Sequence, residues 1–244
     1  MLTPRKEDVL HKAWMLRLLT AICGHSELSQ KLAFKGGTCA AMRGFLNRFS
    51  IDLDFDLVTD TNETKVVKKI MKGIFADLKL EIKDQSRKVP QYFLKYPAKD
   101  ASGRNTIKID ISYPPPKANL YESVRLPEID RIVLCQTLET MVANKLVALI
   151  SRYEKNGKIA GRDIYDVHEF LMQGFDCNEK VILELRKMSV SRFLSQLADF
   201  VEKHVTTRVI DEDLNYLLPN KEFQAIRKVL KAETIMLLRQ HAPF

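Results

Sequence analysis

Two short segments decide how this chain is expected to fold: Gly36-Gly37-Thr38 and, further on, Ser50-Ile51-Asp52-Leu53-Asp54-Phe55. In the second segment acidic and apolar residues alternate, and residues two apart on a β-strand point to the same face of the sheet. The alternation therefore predicts a strand over residues 51–58, with Asp52 and Asp54 side by side and their apolar neighbours facing the core. The glycine pair predicts the end of one strand and a turn into a helix.

The two aspartates are candidate metal ligands. Adjacent carboxylates repel each other unless a cation lies between them, and Mg²⁺ takes carboxylate and phosphate oxygens as ligands. The glycine pair fits the same chemistry, because glycine lets the backbone approach a phosphate closely and a helix N-terminus offers N–H groups to an anion. For Asp52 and Asp54 taken alone, a solvent-facing acidic strand edge is the alternative interpretation.

A third carboxylate, Asp110, lies in a further predicted strand over residues 105–113. It shares a face with Lys108, or it faces the two aspartates if this strand is the neighbour of the first. In the second case the three carboxylates would resemble a two-metal site for in-line displacement at phosphorus. Single acidic residues in strands are common, so the alternative for Asp110 is that it has no role.

The distribution of predicted elements indicates an α+β fold with two lobes: residues 1–130, with a mixed β-sheet and flanking helices, and residues 131–244, a helical bundle. The prolines Pro114-Pro115-Pro116 are expected to end the sheet, because proline cannot donate to a ladder. Further strands are predicted at 32–35, 79–84 and 91–96, and helices at 6–23, 38–46, 62–78, 137–154, 162–173, 178–188, 190–204 and 220–240.

The composition is that of a globular chain, with 45% hydrophobic residues among 244. The chain lacks the roughly 20 uninterrupted apolar residues that a membrane span needs, and we expect a cytoplasmic protein without membrane contact. The four cysteines form no metal-binding spacing and are expected to be reduced. The 39 basic and 31 acidic residues give a net charge of +8, which suits a polyanionic partner such as nucleic acid or a nucleotide.

Taken in order, these motifs resemble the DNA polymerase β-type nucleotidyltransferase superfamily, and within it most closely the AbiEii/AbiGii toxin family. The second half carries the resemblance further, in TLETMVANKLVALISR (137–152) and GRDIYDVHEFL (161–171). The family pattern there is an acidic residue, a lysine, an arginine and an Arg-Asp-x-x-Asp segment. Its matches in this chain are Glu139, Lys145, Arg152, Arg162, Asp163 and Asp166.

The resemblance implies a nucleotidyltransferase domain that binds an NTP and Mg²⁺, with Mn²⁺ as an alternative. The expected metal ligands are Asp52, Asp54 and Asp110, the last of these also being the candidate base. The lysine and one aspartate of the second half are expected to be essential, and the choice between Asp163 and Asp166 stays open. Triphosphate contacts are expected from Gly36, Gly37, Thr38, Ser50, Lys145, Arg152 and Asp166.

The residues themselves support a nucleotide role for the second half, with one alternative. Lys145 and Arg152 lie on one face of the predicted helix, and two cations on one face can hold a triphosphate. The alternative is that Arg152 forms a salt bridge between helices with Asp163 or Asp166 and only holds the lobe together.

The expected reaction transfers a nucleoside monophosphate to an acceptor hydroxyl, with release of pyrophosphate. The family analogy suggests an RNA acceptor, the 3′ end of tRNA, and a toxin role beside a separate antitoxin. The alternatives are a small-molecule or protein acceptor, or a non-catalytic RNA-binding module with the same fold. For an RNA acceptor, the expected cations around a cleft between the lobes are Lys35, Arg43, Arg48, Lys145, Arg152 and Arg162.

Overall fold

The computed structural model describes residues 5–86, 89–98 and 104–242 of the chain. The chain divides into two compact units: unit 1 is Met1–Pro115 with Tyr121–Gln136, and unit 2 is Pro116–Leu120 with Thr137–Phe244. The sequence placed the division after residue 130. In the structure the residues up to Gln136 stay with unit 1, because they form a strand of its sheet.

A seven-stranded mixed sheet forms the centre of unit 1. Its strands, in chain order, are β1 Leu32–Lys35, β2 Asp52–Leu57, β3 Glu81–Gln85, β4 Gln91–Lys95, β5 Thr106–Ser112, β6 Tyr121–Leu126 and β7 Arg131–Gln136. Their order across the sheet is β3-β4-β5-β2-β1-β7-β6. The two aspartates of the alternating segment therefore lie on a central strand, which pairs antiparallel with β1 and parallel with β5.

Alternation along β2 gives the sheet one apolar and one polar face near its centre. Leu53 and Phe55 are buried, and Leu53 pairs in register with the buried Ile109 of β5. Asp52 and Asp54 point to the opposite face and are half-buried. The period of two that predicted the strand thus also separates the core from the carboxylates.

Four helices belong to unit 1, and a short 3₁₀ turn, Lys6–Asp8, precedes them. They are α1 Val9–Gly24, α2 Ser26–Lys31, α3 Gly36–Met42 and α4 Thr64–Asp77. Helix α4 packs through Val67, Met71, Ile74 and Phe75, all of them buried. The ring of Phe75 lies 5.0 Å from that of Tyr92 on β4, which places α4 on the apolar face of the sheet.

Unit 2 is helical. Its helices are α5 Leu138–Asn156, α6 Gly161–Met172, α7 Glu179–Arg186, α8 Val190–His204, α9 Thr207–Leu214 and α10 Asn220–Gln240. The first begins where the Thr137 side chain accepts a hydrogen bond from the backbone of Thr140, and it ends at Gly157, whose φ of 67° suits glycine. Among the helices described in either unit, none is long and apolar enough to cross a membrane.

The expected α+β class is confirmed, and the five strands predicted before Pro114 are present. The prediction that Pro114-Pro115-Pro116 ends the sheet is wrong, because β6 and β7 follow it. The prolines lie in the connection between strands, where the missing N–H removes no ladder bond.

Helices α2 and α9 were not predicted from the sequence. They have only 6 and 8 residues, which is too short for a clear helical periodicity of apolar residues.

Candidate active site

A row of polar side chains crosses the middle of the sheet in unit 1. Asp54 pairs in register with Lys35 of β1 on one side and with Asp110 of β5 on the other, and Asp110 pairs in turn with Gln91 of β4. Residues opposite each other on neighbouring strands share a face. Because β5 is the direct neighbour of β2, Asp110 lies on the same face as Asp52 and Asp54, and Lys108 shares that face with it. Both placements considered from the sequence are therefore present.

Asp54 has an unfavourable electrostatic environment for a carboxylate. Burial and, next in size, the negative charge of Asp52 raise its pKa from 3.8 to about 6, although Lys35 and Lys108 act in the opposite direction. No residue in the described part of the chain donates a hydrogen bond to its side chain. A carboxylate held in this way is stabilised by any cation that binds beside it.

Asp110 is turned towards polar partners of its own sheet. Its Oδ2 accepts hydrogen bonds from the amide Nε2 of Gln91 at 2.7 Å and from the ammonium of Lys108 at 3.0 Å. Within the described residues, no three His, Cys, Asp or Glu side chains are arranged to hold a metal ion. Asp52, Asp54 and Asp110 are therefore not a ready-made set of three ligands, and a metal role for Asp110 stays a prediction.

The remaining pair, Asp52 and Asp54, fits a hard divalent cation that completes its coordination with phosphate oxygens and water. Such ions are commonly bound by one or two carboxylates together with substrate phosphates. The structural observation that supports this fit is that Asp54 shares a face of β2 with Asp52 and accepts no hydrogen bond from a described residue. The raised pKa of Asp54, to which the charge of Asp52 contributes, agrees with it.

The glycine pair is required by the side chains of the site itself. Gly36 has a φ of 76°, and a Cβ there would lie 2.5 Å from Oδ2 of Asp54. A Cβ at Gly37 would collide with the guanidinium of Arg48. The protein groups nearest to these glycines are thus Asp54 and Arg48, and the expected close approach of phosphate at Gly36 and Gly37 stays a prediction.

Thr38 and Ser50 connect the glycine turn to β2. The hydroxyl of Thr38 donates to the backbone carbonyl of Asp52 at 2.5 Å and shares a hydrogen bond of 2.8 Å with the hydroxyl of Ser50. Both hydroxyl-bearing residues are buried. They hold the start of α3 against the strand that carries the two aspartates.

The arginines near the turn are engaged inside unit 1. Arg48 is 2% exposed and donates to the carbonyl of Phe49 at 3.0 Å. Arg43 donates to the carbonyl of Gln136 and to the Glu122 carboxylate, both at 2.7 Å. The expectation that Arg48 lines a groove for RNA is wrong, because its guanidinium is packed against the backbone of the glycine turn.

A buried hydrogen-bond network that was not predicted from the sequence is centred on Asp56, the next acid of the alternating segment. Asp56 is 0% exposed and accepts from the Lys35 ammonium at 2.6 Å, the Gln136 amide at 2.7 Å and the Tyr121 hydroxyl at 3.1 Å. Lys35 also donates to the hydroxyl of Ser112 at 2.9 Å. The network joins β5, β2, β1, β7 and β6, and its sequence signals were a third alternating aspartate and a lysine directly before the glycine pair.

A second charged cluster lies in unit 2, between α5 and α6. The Lys145 ammonium lies 2.8 Å from Asp163 and 2.7 Å from Asp166, and the Arg152 guanidinium lies 3.1 Å from Asp163. Burial would raise the pKa of Asp163, but Lys145 and Arg152 hold it well below its usual range. The salt bridge between helices that was the alternative for Arg152 is therefore present, and triphosphate contacts from Lys145 and Arg152 stay a prediction.

Residues 17–236 match the family model described as "Nucleotidyl transferase AbiEii toxin, Type IV TA system". Among solved structures, a putative nucleotidyltransferase of Helicobacter pylori is similar with a TM-score of 0.62 and 19% identity, covering 98% of this chain and 97% of that one. JHP933 of Helicobacter pylori gives 0.60 and 19%, covering 98% and 95%. The nucleotidyltransferase toxin MenT4 of Mycobacterium tuberculosis gives 0.57 and 16%, covering 94% and 85%. The structural similarity shows a shared fold, and at such low sequence identity it shows the fold alone. No curated protein matches the chain.

Proposed function

The chain belongs to the AbiEii family of nucleotidyltransferase toxins of type IV toxin–antitoxin systems, and from that premise we propose that it transfers a nucleoside monophosphate from an NTP to the hydroxyl at an RNA 3′ end. Membership of the family implies an NTP substrate and an antitoxin. The RNA acceptor, with the acceptor end of tRNA as its specific form, is suggested by the resemblance and is compatible with the net charge of +8.

The observation that carries this proposal is Asp54, which lies beside Asp52 on one face of β2 and against Gly36. Among the described residues, no cation lies at hydrogen-bond distance from the Asp54 side chain. These two carboxylates would hold the divalent cation, Mg²⁺ or Mn²⁺. When bound, such a cation neutralises charge on the triphosphate and on the departing pyrophosphate. The protein's own contribution is to hold two mutually repelling carboxylates in place, which the Thr38 and Ser50 hydrogen bonds accomplish.

Asp110 is the candidate base. In the proposed reaction the acceptor hydroxyl oxygen forms a bond to the α-phosphorus, the bond from that phosphorus to the bridging oxygen breaks, and pyrophosphate leaves with the bonding electrons. The proton of the hydroxyl passes to Asp110, whose orientation is set by Gln91 and Lys108. Positioning of the two reactants and stabilisation of charge supply most of the rate in such transfers.

For unit 2 we propose a contact with the triphosphate and no part in the chemical step. Asp163 and Asp166 fix the ammonium of Lys145, and Asp163 also orients the guanidinium of Arg152. In the proposed function Lys145 contacts the triphosphate and the two aspartates are positioning residues. Substitution of Lys145 should then raise the KM for NTP in addition to any effect on stability.

The direct test is incubation with each labelled NTP and total RNA, with Mg²⁺ present or chelated. We expect label in RNA with one or more of the NTPs, loss of label on chelation, and loss with Asp52→Ala while the melting temperature stays within a few degrees. Label that survives ribonuclease would show a protein or small-molecule acceptor. Transfer by Asp52→Ala at the wild-type rate would contradict the metal assignment.

A further inference from the structure

Helix α4 has an unusual charge pattern. Between Thr64 and Ala76 it contains four lysines and no acidic residue. Lys65, Lys69 and Lys72 are exposed, and none of these three forms an ion pair or hydrogen bond with a residue that the structure describes. The fourth, Lys68, is half-buried and donates to the carbonyl of Ser86 at 3.4 Å.

The three exposed lysines form one stripe. Their spacing of four and then three residues puts them on a single face of the helix, opposite the buried side chains that pack on the sheet. From the first to the last they extend about 10 Å along the helix axis, at about 1.5 Å per residue. We call Lys65, Lys69 and Lys72 the lysine stripe.

The stripe works against the stability of its own helix. Like charges three or four residues apart repel each other on a helix surface. In addition, Lys65 lies in the first turn, where the helix dipole is positive, and that turn contains no acidic residue. Both unfavourable terms are removed when a bound polyanion supplies the opposite charge.

Three cations that were expected near the RNA are arranged differently. Lys35, Arg43 and Lys145, three of those expected from the sequence to meet RNA, are each paired with a carboxylate of their own unit. The lysine stripe lacks such partners among the described residues, so its positive charge remains available to a ligand.

We propose that the lysine stripe is a docking surface for the phosphate backbone of the RNA acceptor. This inference rests on the proposed function. A polyanion with regularly spaced phosphates complements three lysines spaced along about 10 Å, and phosphate contacts position a nucleic acid without reading its sequence.

The position of α4 decides which part of the RNA the stripe contacts. The helix packs on the apolar face of the sheet, next to Tyr92, whereas Asp52 and Asp54 lie on the opposite face. Because the sheet separates them, one short strand cannot occupy both places. The stripe therefore holds the body of a folded RNA, and the 3′ end reaches the carboxylates around an edge of the sheet.

This placement gives a test with an internal control. The triple variant Lys65→Gln, Lys69→Gln, Lys72→Gln is compared with wild type on a folded tRNA transcript and on a short single-stranded RNA with the same 3′ end. A second triple variant, Lys180→Gln, Lys203→Gln, Lys228→Gln, removes the same charge from exposed positions of unit 2.

For the stripe variant, we expect the KM for the tRNA transcript to rise about tenfold at moderate salt. The slope of log binding constant against log salt should become shallower by about 3, because each of three phosphate contacts to a duplex contributes about 0.9. The KM for the short RNA should not change, and the control variant should resemble wild type with both RNAs.

Each other result decides against one specific claim. An unchanged KM for the transcript, or an equal loss in both triple variants, would overturn the docking surface while leaving the proposed reaction intact. Failure of wild type to label any RNA would overturn the RNA acceptor itself. Binding of the transcript can also be measured directly by fluorescence anisotropy. If wild type and the stripe variant bind the transcript equally, and the stripe lysines instead bind a protein, the proposed docking surface is overturned.

Discussion

Replacing Asp54 by asparagine should inactivate the enzyme and, in metal-free buffer, make the protein more stable. Asparagine has nearly the same shape as aspartate, so the close contact with Gly36 is kept, but the side chain is neutral. The variant therefore loses a candidate metal ligand together with the unfavourable charge that burial and Asp52 impose on position 54.

The size of the effect follows from the pKa of Asp54, which rises from 3.8 to about 6 in the folded protein. At about 1.4 kcal/mol for each pH unit, the ionised side chain costs up to about 3 kcal/mol. Because Asp54 is half-buried and partly screened by water, we expect about 1–3 kcal/mol.

The sign follows from proton linkage. A carboxyl with a raised folded-state pKa favours the folded protein fully below the unfolded value of 3.8, and this contribution is lost as the pH rises through about 6. The neutral asparagine does not titrate. The variant should therefore gain its full advantage near neutral pH and lose most of it as the pH approaches 4.

Thermal unfolding in the presence of chelator measures this difference. Near neutral pH the melting temperature of Asp54→Asn should exceed that of wild type by about 2–12 °C, at about 2–4 °C for each kcal/mol in a chain of this size. Added Mg²⁺ should stabilise wild type and not the variant. Replacement of the exposed Asp60 by asparagine is the matched control, with no expected change.

A variant that is less stable than wild type near neutral pH would contradict the assigned charge effect at Asp54. A stability difference that stays constant between neutral pH and pH 4 would refute it equally, because the charge on Asp54 would then not be its origin.

Four further substitutions test the rest of the site. Lys145→Met should lower the free energy of unfolding by about 3–5 kcal/mol in denaturant titrations, because it leaves the buried Asp163 and Asp166 without their shared cation; a loss below 1 kcal/mol would contradict this. Asp56→Asn should cost about 1.5–3 kcal/mol through its charged bond to Lys35, and Tyr121→Phe about 1 kcal/mol; the reverse order would contradict the network. Gly36→Ala should lower transfer more than tenfold, since a Cβ there meets Asp54; wild-type activity would show that the contact is relieved easily.

Much of unit 1 could be predicted because its signals are local. The alternation at residues 51–58 fixes both the strand and the face of its aspartates, since the period of two needs no knowledge of the neighbours. The strand β6, with the sequence YESVRL, gave no such signal because it is an edge strand whose side chains are mostly not buried. Its neighbour β7 carries the apolar run Ile132–Cys135, which alone does not distinguish a strand from a buried helix.

The hydrogen-bond partners in the site could not be predicted in the same way. Asp56 is bonded to Tyr121 and Gln136, which lie 65 and 80 residues further along the chain. Those bonds exist because β7 and β6 follow β1 in the sheet, and the strand order is a property of the whole unit. The sequence identified Asp56 as a member of the alternating segment but contained nothing that named its partners.

Three buried or half-buried aspartates of this chain differ in how their charge is compensated. Asp163 has two cations within salt-bridge distance, and Asp56 accepts three hydrogen bonds, one of them from an ammonium. Asp54 receives none from the described residues and faces another carboxylate instead, which helps to raise its pKa. A fold that satisfies its other buried acids and leaves this one uncompensated indicates where an external cation belongs.

The lysine stripe resembles Asp54 in this respect but has the opposite charge. Its three positive charges lie close together, destabilise their helix and have no partner among the described residues. A divalent cation compensates the first group and a polyanion the second. An enzyme that joins a metal-bound nucleotide to an RNA, as we propose for this chain, would supply both the cation for Asp54 and the polyanion for the lysine stripe.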